Sequence, residues 1–280
     1  MKRLFLFAGL AMAAIASAQV LNVGHVQQLS IPTGDVKVAG ISEDGNTVLL
    51  TTSSNTGLKK YDMLTGAITT LSEATGAGYR AQVSADGATV TFREKTMAKD
   101  KTMRTELKQV SDASRKAKVL VRPTRDMRTI DVRQNIEVCK PTATIENQQL
   151  VLTMGGTTSV ISPCGTDKSY IWPSVSPDEQ KVLFYVAGRG AYVSDMTGQN
   201  VQFLGHDLRA PKWYDNNIVI GMNDRDNGEV TISSEIVAVN LQGDRQVLTS
   251  GINAMYPYTA NGAIVCSGFN GETYLIKVMK

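Results

Sequence analysis

Short apolar runs recur along the chain, and each follows a turn rich in Asp, Asn and Gly. The runs TVLL, LVLT, VLFYV, IVIG and AIVC are apolar almost throughout, which is typical of strands covered on both faces. A third run (KKYD, AYVSD, VAVN) and a more polar fourth run (ITTLS, VQFLG, RQVLTS) come after several of them. The pattern predicts units of four antiparallel strands joined by tight hairpins.

These units repeat at a regular spacing. Each apolar run begins seven or nine residues after one of six aligned positions, which are Ala39, Ala81, Pro141, Pro173, Pro211 and Pro257. Their mean spacing is about 44 residues, within the range of solenoids and propellers. A β-sandwich also has short strands, but it would not repeat its turn chemistry at this interval. We predict an all-β chain, a six-bladed β-propeller of four-stranded antiparallel blades, formed as one domain by residues 19–280.

The two ends of the chain complement each other. The sixth copy has only three strands before Lys280, and a sheet with an open edge attracts other chains. Residues 25–30 (HVQQLS) resemble the polar outer strands ITTLS and RQVLTS. We therefore predict that they pair with residues 274–279 as the fourth strand of blade six; the alternative is a disordered tail.

The second and third copies are irregular. Residues 93–112 lengthen the link between the second and third strands of blade two, and residues 122–138 lengthen the passage into blade three. We interpret both as insertions on the propeller and not as a separate domain.

The first eighteen residues have the pattern of a signal peptide. Lys2 and Arg3 precede the apolar run LFLFAGLAMAAIA, and ASA at residues 16–18 matches a signal-peptidase site. We predict that residues 1–18 are removed and that the protein is periplasmic or secreted; the alternative is an uncleaved anchor. No later stretch is apolar enough over sufficient length to predict a transmembrane segment.

The charge balance argues against some partners. Without Lys2 and Arg3, the 29 basic residues fall to 27, against 26 acidic residues. A near-neutral chain has no net field to attract nucleic acid or a membrane surface, so neither is predicted as a partner.

The polar residues do not form a recognisable catalytic or metal motif. His25 and His206 are the only histidines, and the sequence contains no G-x-S-x-G or HExxH pattern. The segment NDRDNGE is one residue short of a calcium loop, so Asp224, Asp226 and Glu229 are predicted to be solvated loop residues. We predict no cofactor, no metal and no catalytic activity.

The three cysteines are an odd number for an oxidising compartment. In a propeller, Cys139 and Cys164 fall at opposite ends of blade three, and Cys266 lies across the ring. Bridged Cα atoms lie within about 7 Å of each other. We predict no intrachain disulfide, and we expect Cys266 to be a small buried hydrophobe.

Cations and large aromatic residues recur where the chain enters each innermost strand. The residues before the aligned positions are Val38, Arg80, Lys140, Trp172, Ala210 and Tyr256. Arg209 is adjacent, and Arg189 lies in a link predicted at the same end of the ring. Arg offers paired donors to carboxylates, and Trp and Tyr offer flat apolar surface. The predicted partner-binding residues are Arg80, Lys140, Trp172, Arg189, Arg209 and Tyr256; the alternative is that the aromatics plug the channel and the cations are solvated.

The stretches WPSVSPDEQKVLFYV and SADGATVTF resemble the TolB-type β-propeller repeat, in which a Pro is followed by Ser-x-Asp-Gly and an apolar strand. The copies at Pro141, Pro211 and Pro257 lack the Ser or the Asp-Gly. The resemblance implies a six-bladed exported propeller, similar to WD40 propellers, that makes protein–protein contacts. It implies a protein or peptide partner, for which an envelope complex is one setting. The alternative function is a propeller that binds a carbohydrate or small ligand, or is an enzyme, at an axial site.

Overall fold

Six antiparallel sheets surround a central channel in the computed structural model, which describes residues 19–114, 116–134 and 140–279. Contacts between innermost strands join blades three, four, five, six, one and two in that order around the ring. The six-bladed propeller is therefore confirmed. The predicted signal peptide and Cys139 lie outside the described residues.

The strands follow one another from the inside of each blade to the outside. The exception is the N-terminal strand β1 (Val23–Gln28), which is the outermost strand of blade six. Blade one contains β2 (Lys37–Ile41), β3 (Thr47–Thr51), β4 (Leu58–Asp62) and β5 (Ile68–Ser72). Blade two contains β6 (Gln82–Val83), β7 (Thr89–Met97), β8 (Met103–Ser111) and β9 (Lys118–Thr124), followed by helix α1 (Met127–Gln134). Blade three contains β10 (Thr142–Glu146), β11 (Gln149–Met154) and β12 (Thr157–Val160).

The remaining blades each have four strands. Blade four contains β13 (Tyr170–Val175), β14 (Lys181–Val186), β15 (Gly190–Asp195) and β16 (Gln202–Gly205). Blade five contains β17 (Arg209–Trp213), β18 (Ile218–Asp226), β19 (Thr231–Asn240) and β20 (Arg245–Val247). Blade six contains β21 (Ala254–Ala260), β22 (Ala263–Gly268), β23 (Thr273–Val278) and, outermost, β1.

The N-terminal strand closes the ring, as predicted. β1 pairs antiparallel with β23, with Gln28 opposite Tyr274 and Val26 opposite Ile276. The backbone N–H groups of Val20 and Leu21 also donate to Gln246 Oε1 of blade five, at 2.8 Å each. The N-terminal segment is thus held by two blades.

A repeated Ser–Asp pair shapes the hairpin between the first and second strands of three blades. In blade one, the Ser42 hydroxyl donates to Asp44 Oδ1 at 2.5 Å and accepts from the Thr47 N–H at 2.9 Å. Blades two and four repeat the arrangement with Ser84 and Asp86, and with Ser176 and Asp178. Gly45 and Gly87 have φ of 76° and 72°, which glycine adopts without strain. The repeated motif is therefore a device that fixes hairpin geometry.

Blade three departs from the prediction because it has three strands in the described residues and not four. Pro163 cannot donate to a ladder, and Ser162 and Gly165 have φ of 23° and 107°, so the chain turns where a fourth strand would run. The carbonyl of Gln148 in the first hairpin of blade three accepts from the Tyr170 N–H at 2.9 Å. In blades one and two, by contrast, the corresponding hairpins contact each other. The first hairpin of blade three therefore meets the start of the first strand of blade four and not the hairpin of that blade.

The two predicted insertions are more regular than expected. The lengthened link of blade two is a long hairpin, since β7 and β8 pair along nine residues each. The passage into blade three contains α1. No helix in the described ranges is long and apolar enough to cross a bilayer.

The cysteine predictions can be tested at two positions. Cys164 and Cys266 are both free thiols, and Cys266 is fully buried among the apolar residues of blades five and six. Burial raises the pKa of the Cys266 thiol to about 12. The expectation of a buried small hydrophobe at Cys266 is confirmed.

Removing apolar contact at the ring closure should destabilise the fold. Leu21 is 6% exposed and packs in the core cluster shared by blades five and six. We expect Leu21→Ala to lower the free energy of unfolding by roughly 2–5 kcal/mol, measured by urea denaturation. The control Leu64→Ala, at a site that is 79% exposed, should change it by less than about 0.5 kcal/mol; equal losses would contradict the packing role of the N-terminal segment.

The Ser–Asp hairpin should link stability to pH. The hydrogen bond from Ser42 is the largest cause of the lowered pKa of Asp44, whose ordinary value is 3.8. A lowered carboxyl pKa stabilises the fold above the ordinary value, and this contribution is lost as pH falls through the folded pKa. Ser42→Ala should lower the free energy of unfolding by about 1–3 kcal/mol at neutral pH. It should also reduce the slope of that free energy against pH below pH 3.8.

The matched control for this hairpin is Ser250→Ala, because Ser250 is an exposed serine in a turn. It should leave both the urea midpoint and the acid slope unchanged. An acid slope that is the same in Ser42→Ala and wild type would show that the Ser42–Asp44 bond does not carry the linkage.

Candidate functional site

A backbone bulge recurs where the inner strands begin, at the end of the channel that we call the channel mouth. The pairing register between the first and second strands shifts at the same point in blades one, four, five and six. The residue before the aligned position has φ between 46° and 55° in four blades: Arg80, Trp172, Ala210 and Tyr256. Such values are outliers for bulky residues, and bulges re-aim side chains at the rims of barrels and sheets.

The bulges leave backbone groups that neighbouring blades satisfy. The Val38 N–H donates to Ser267 Oγ of blade six at 2.8 Å. The Tyr256 N–H approaches Met222 Sδ of blade five at 3.1 Å. The preceding blade therefore supports the bulged conformation, which holds the side chains at the mouth in fixed positions.

Blades four and five contribute an aromatic pair and an ion pair. Trp172 packs edge-on against Tyr185, with ring centroids 5.2 Å apart. Arg209 Nη1 lies 3.2 Å from Asp224 Oδ2, and Asp224 also accepts from Ser234 Oγ at 2.6 Å. Burial raises the pKa of Tyr185, and the charge of Arg209 opposes that rise. The sequence prediction for Asp224 was wrong: its side chain is 4% exposed, because β18 and β19 extend as strands through the expected loop.

Blade two contributes a polar cluster built with helix α1. Arg93 is 3% exposed, and its Nη2 lies 2.5 Å from Asp131 Oδ1 while its Nε donates to Gln134 Oε1 at 2.5 Å. Arg80 Nη1 lies 3.2 Å from the same Asp131 oxygen, and Gln134 Nε2 donates to the Arg80 carbonyl at 2.6 Å. One carboxylate is thus shared by two guanidinium groups.

Blades one and six contribute a lysine and a tyrosine. Lys37 Nζ lies 5.4 Å from the centre of the Tyr256 ring and donates to Asn55 Oδ1 at 3.0 Å. Burial lowers the pKa of Lys37, and Asp35 opposes this effect. Tyr256 itself is 41% exposed. Its accessible ring lies beside a cation, which is a common arrangement in recognition surfaces.

A cavity of about 760 Å³ lies between blades two and three. Its walls include Arg80, Arg93 and Asp131 on one side and Lys140 and the strand β10 on the other. The volume falls within the usual range of small-molecule pockets. Lys140 and Arg80 both line this cavity, and the role of Lys140 in partner binding stays a prediction.

Arg189 lies apart from these clusters. It is exposed in the turn between β14 and β15. Its charge lowers the pKa values of Cys164 and Asp167, although burial raises the pKa of Cys164 overall. Arg189 therefore lies beside the connection between blades three and four.

The acidic segment of blade five is explained by its turn. Asp226 Oδ1 accepts from the Gly228 N–H at 2.9 Å, and Asn227 Oδ1 accepts from two further N–H groups. Asp226 and Glu229 are exposed, as predicted. In the described part of the chain, no group of three His, Cys, Asp or Glu side chains is arranged to hold a metal ion.

Several residues of the mouth were not found from the sequence. Arg93 and Asp131 lie in the two insertions, and Lys37 precedes a copy that has no aromatic or cation at the aligned position. Lys212 follows the aligned Pro211 by one residue, and its ammonium lies 5.2 Å from the Tyr258 ring. A search for cations one residue after the aligned position would have found Lys212.

Comparison with solved structures supports this fold class. A candidate TolB of Agrobacterium tumefaciens is similar at 12% identity, over 88% of this chain and 90% of that chain, with a TM-score of 0.53. The β-propeller domain of Cps50 (Swd1) from Myceliophteria thermophila is 10% identical over 92% and 100% of the two chains, with a TM-score of 0.50. No protein-family model and no curated protein matches the sequence.

An oligogalacturonate lyase from Vibrio parahaemolyticus is 14% identical over 86% of this chain and 76% of that chain, with a TM-score of 0.44. Similarity at that level carries no argument about activity. The β-propeller fold expected from the repeat is confirmed by the first two comparisons, and the first of them is with a TolB-like propeller.

Replacing the buried Arg93 should destabilise the fold at the mouth of blade two. Arg93→Met removes the partner of Asp131 and Gln134, and we expect a loss of about 3 kcal/mol in the free energy of unfolding. The control Arg128→Met changes an exposed arginine of α1, the helix that carries Asp131 and Gln134, and should cost less than about 0.5 kcal/mol. Equal urea midpoints for the two variants would contradict the buried ion pair.

Proposed function

We propose that this protein is a non-catalytic propeller that binds an extended protein or peptide segment at the channel mouth. The observation that carries the proposal is the repeated backbone conformation, since Arg80, Trp172 and Tyr256 of three different blades all have positive φ at equivalent positions. Backbone strain of this kind persists where the surrounding structure enforces it, and it clusters at binding sites.

The chemistry of the mouth favours a segment with acidic and apolar groups. Arg80 is 48% exposed and Arg209 is 45% exposed, so both guanidinium groups are accessible in spite of their ion pairs. Trp172 and Tyr256 offer aromatic surface between these cations. Interfaces are enriched in Arg, Trp and Tyr, and these residues carry most of the binding energy. Lys140 and Arg189 extend the proposed surface at its edge.

A second candidate function is the binding of a carbohydrate or small ligand. The cavity of about 760 Å³ between blades two and three favours it, because polar groups from both blades line the same open cleft. A thermal-shift screen with sugars and divalent ions separates the two functions. Stabilisation by a sugar that is lost in Thr144→Ala, a change in the wall of the cavity formed by β10, would favour the cavity over the mouth.

We also propose that the protein acts outside the cytoplasm, in the periplasm or after secretion. The support is the signal-peptide pattern of residues 1–18 and the resemblance of the repeats to exported propellers. N-terminal sequencing of the purified mature protein tests this: Gln19 as the first residue supports export, and a retained Met1 contradicts it.

Tryptophan fluorescence provides a direct test of the mouth. The chain has two tryptophans, and Trp213→Phe leaves Trp172 as the only indole. Peptides selected against the protein by display should change the emission of Trp172, and affinity should fall as salt rises because the contacts are charged. Arg80→Ala combined with Arg209→Ala should weaken binding about tenfold or more.

Matched controls are available on the outer strands. Lys118 is an exposed cation of β9, and Phe203 is an exposed aromatic residue of β16. Lys118→Ala and Phe203→Ala should leave peptide affinity unchanged, whereas Trp172→Ala should reduce it. If the outer variants reduce binding and the mouth variants do not, the proposed surface is wrong.

A further inference from the structure

Three inner strands bring one residue each to the same level of the channel, just below the mouth. Ser174, Lys212 and Tyr258 each follow their aligned proline by one position, and each is the first residue paired after the bulge. The strands β13, β17 and β21 are neighbours in the ring. The Trp213 indole N–H donates to the Ser174 carbonyl at 3.4 Å, and Lys212 Nζ lies over the Tyr258 ring. The first contact ties β17 to β13 at this level, and the second joins Lys212 to Tyr258.

The polar atoms of this group lack partners of the opposite kind. Over the described ranges, Lys212 has no carboxylate within salt-bridge distance, and Ser174 Oγ is buried without a hydrogen bond. Burial lowers the pKa of Lys212, and burial also raises the pKa of Tyr258. Buried charges in proteins are normally paired, because an unpaired one costs several kcal/mol.

A second cation faces Lys212 from the opposite side. Arg80 belongs to blade two, which lies across a six-membered ring from blade five, and its charge further lowers the pKa of Lys212. Asp131, the carboxylate beside Arg80, is already shared with Arg93. Tyr185 and Asp224 flank Arg209 on the same side as Lys212 but form their own cluster.

We infer that this level of the channel is a carboxylate-binding subsite, with Lys212 as the charged ligand and Ser174 and Tyr258 as hydroxyl donors. An ammonium and two hydroxyl groups suit one anion with two acceptor oxygens. The position below the mouth places the subsite where the end of a bound segment would enter. The carboxylate comes from the C-terminus or an acidic side chain of the partner, and this part of the inference rests on the proposed function. The other source is a free small carboxylate.

The first test uses acetate as the probe. Thermal unfolding of the full mature chain is measured at pH 7 in acetate and in chloride at equal ionic strength. Wild type should unfold at a higher temperature in acetate, because ligands that bind the folded state stabilise it. Lys212→Met should abolish this shift. An equal unfolding temperature in both salts for wild type, or a shift that persists in Lys212→Met, overturns the subsite.

Two further variants separate a lost site from a damaged fold. Lys212→Met in chloride should be at least as stable as wild type, because replacing a half-buried charge that has no acidic partner in the described residues with an apolar side chain removes its desolvation cost. Lys37→Met changes a cation at the mouth that lies outside the subsite, and it should retain the acetate shift. Loss of the shift in Lys37→Met as well would show a general charge effect and overturn the assignment to Lys212.

The second test identifies the source of the carboxylate and separates this inference from the proposed function. Selected peptides are compared as free acids, as C-terminal amides, and with internal Asp and Glu replaced by Asn and Gln. About tenfold weaker binding of the amides assigns the C-terminus, and the same loss with the internal replacements assigns a side chain. If peptides bind wild type and Lys212→Met equally, and acetate gives no shift, the subsite fails and the mouth remains. If acetate shifts wild type and no peptide binds the mouth, the subsite holds a small carboxylate and the proposed function fails.

Discussion

Pairing of the two ends of the chain is the interaction on which the rest of the structure depends. β1 occupies the outer edge of β23, so blade six has no open edge there, and the ring is held shut by a ladder of backbone hydrogen bonds. The inner strands face a common channel only while the ring is closed.

The bulges then convert a repeated scaffold into a specific surface. Ser42, Ser84 and Ser176 fix the hairpins at one end of their blades, which is a structural role and explains why that motif is regular. At the other end, the positive φ values place different side chains on equivalent backbone. The repeat therefore supplies the geometry, and the residues that vary between copies supply the chemistry.

The sequence was sufficient to predict the features that repeat. Six copies, the hairpins with Asp and Gly, and the closure by the N-terminal strand all follow from local patterns that recur. Blade three did not follow, because Pro163 and Gly165 replace its fourth strand and no equivalent copy shows this. Helix α1 was also missed, since its sequence has little amphipathic character, and Asp224 was misassigned because strands of unusual length run through its segment.

Only part of the candidate site could be predicted, because some of its contacts join segments that are distant in the sequence. The position before the aligned proline could be read from the sequence, and it led to Trp172 and Tyr256. Contacts between distant segments, such as Arg93 with Asp131, could not be read, because they depend on where α1 packs. Lys212 was missed because only the position before the aligned proline was searched, although Lys212 directly follows Pro211 in the sequence.

The most direct test of the account is a crystal structure of the mature chain bound to a peptide selected against it. The account predicts that the peptide lies across the channel mouth, in contact with Trp172 and Arg209, with an acidic group directed at Lys212. A peptide bound along the outer strands, or in the cavity between blades two and three without contact to the mouth, would contradict it.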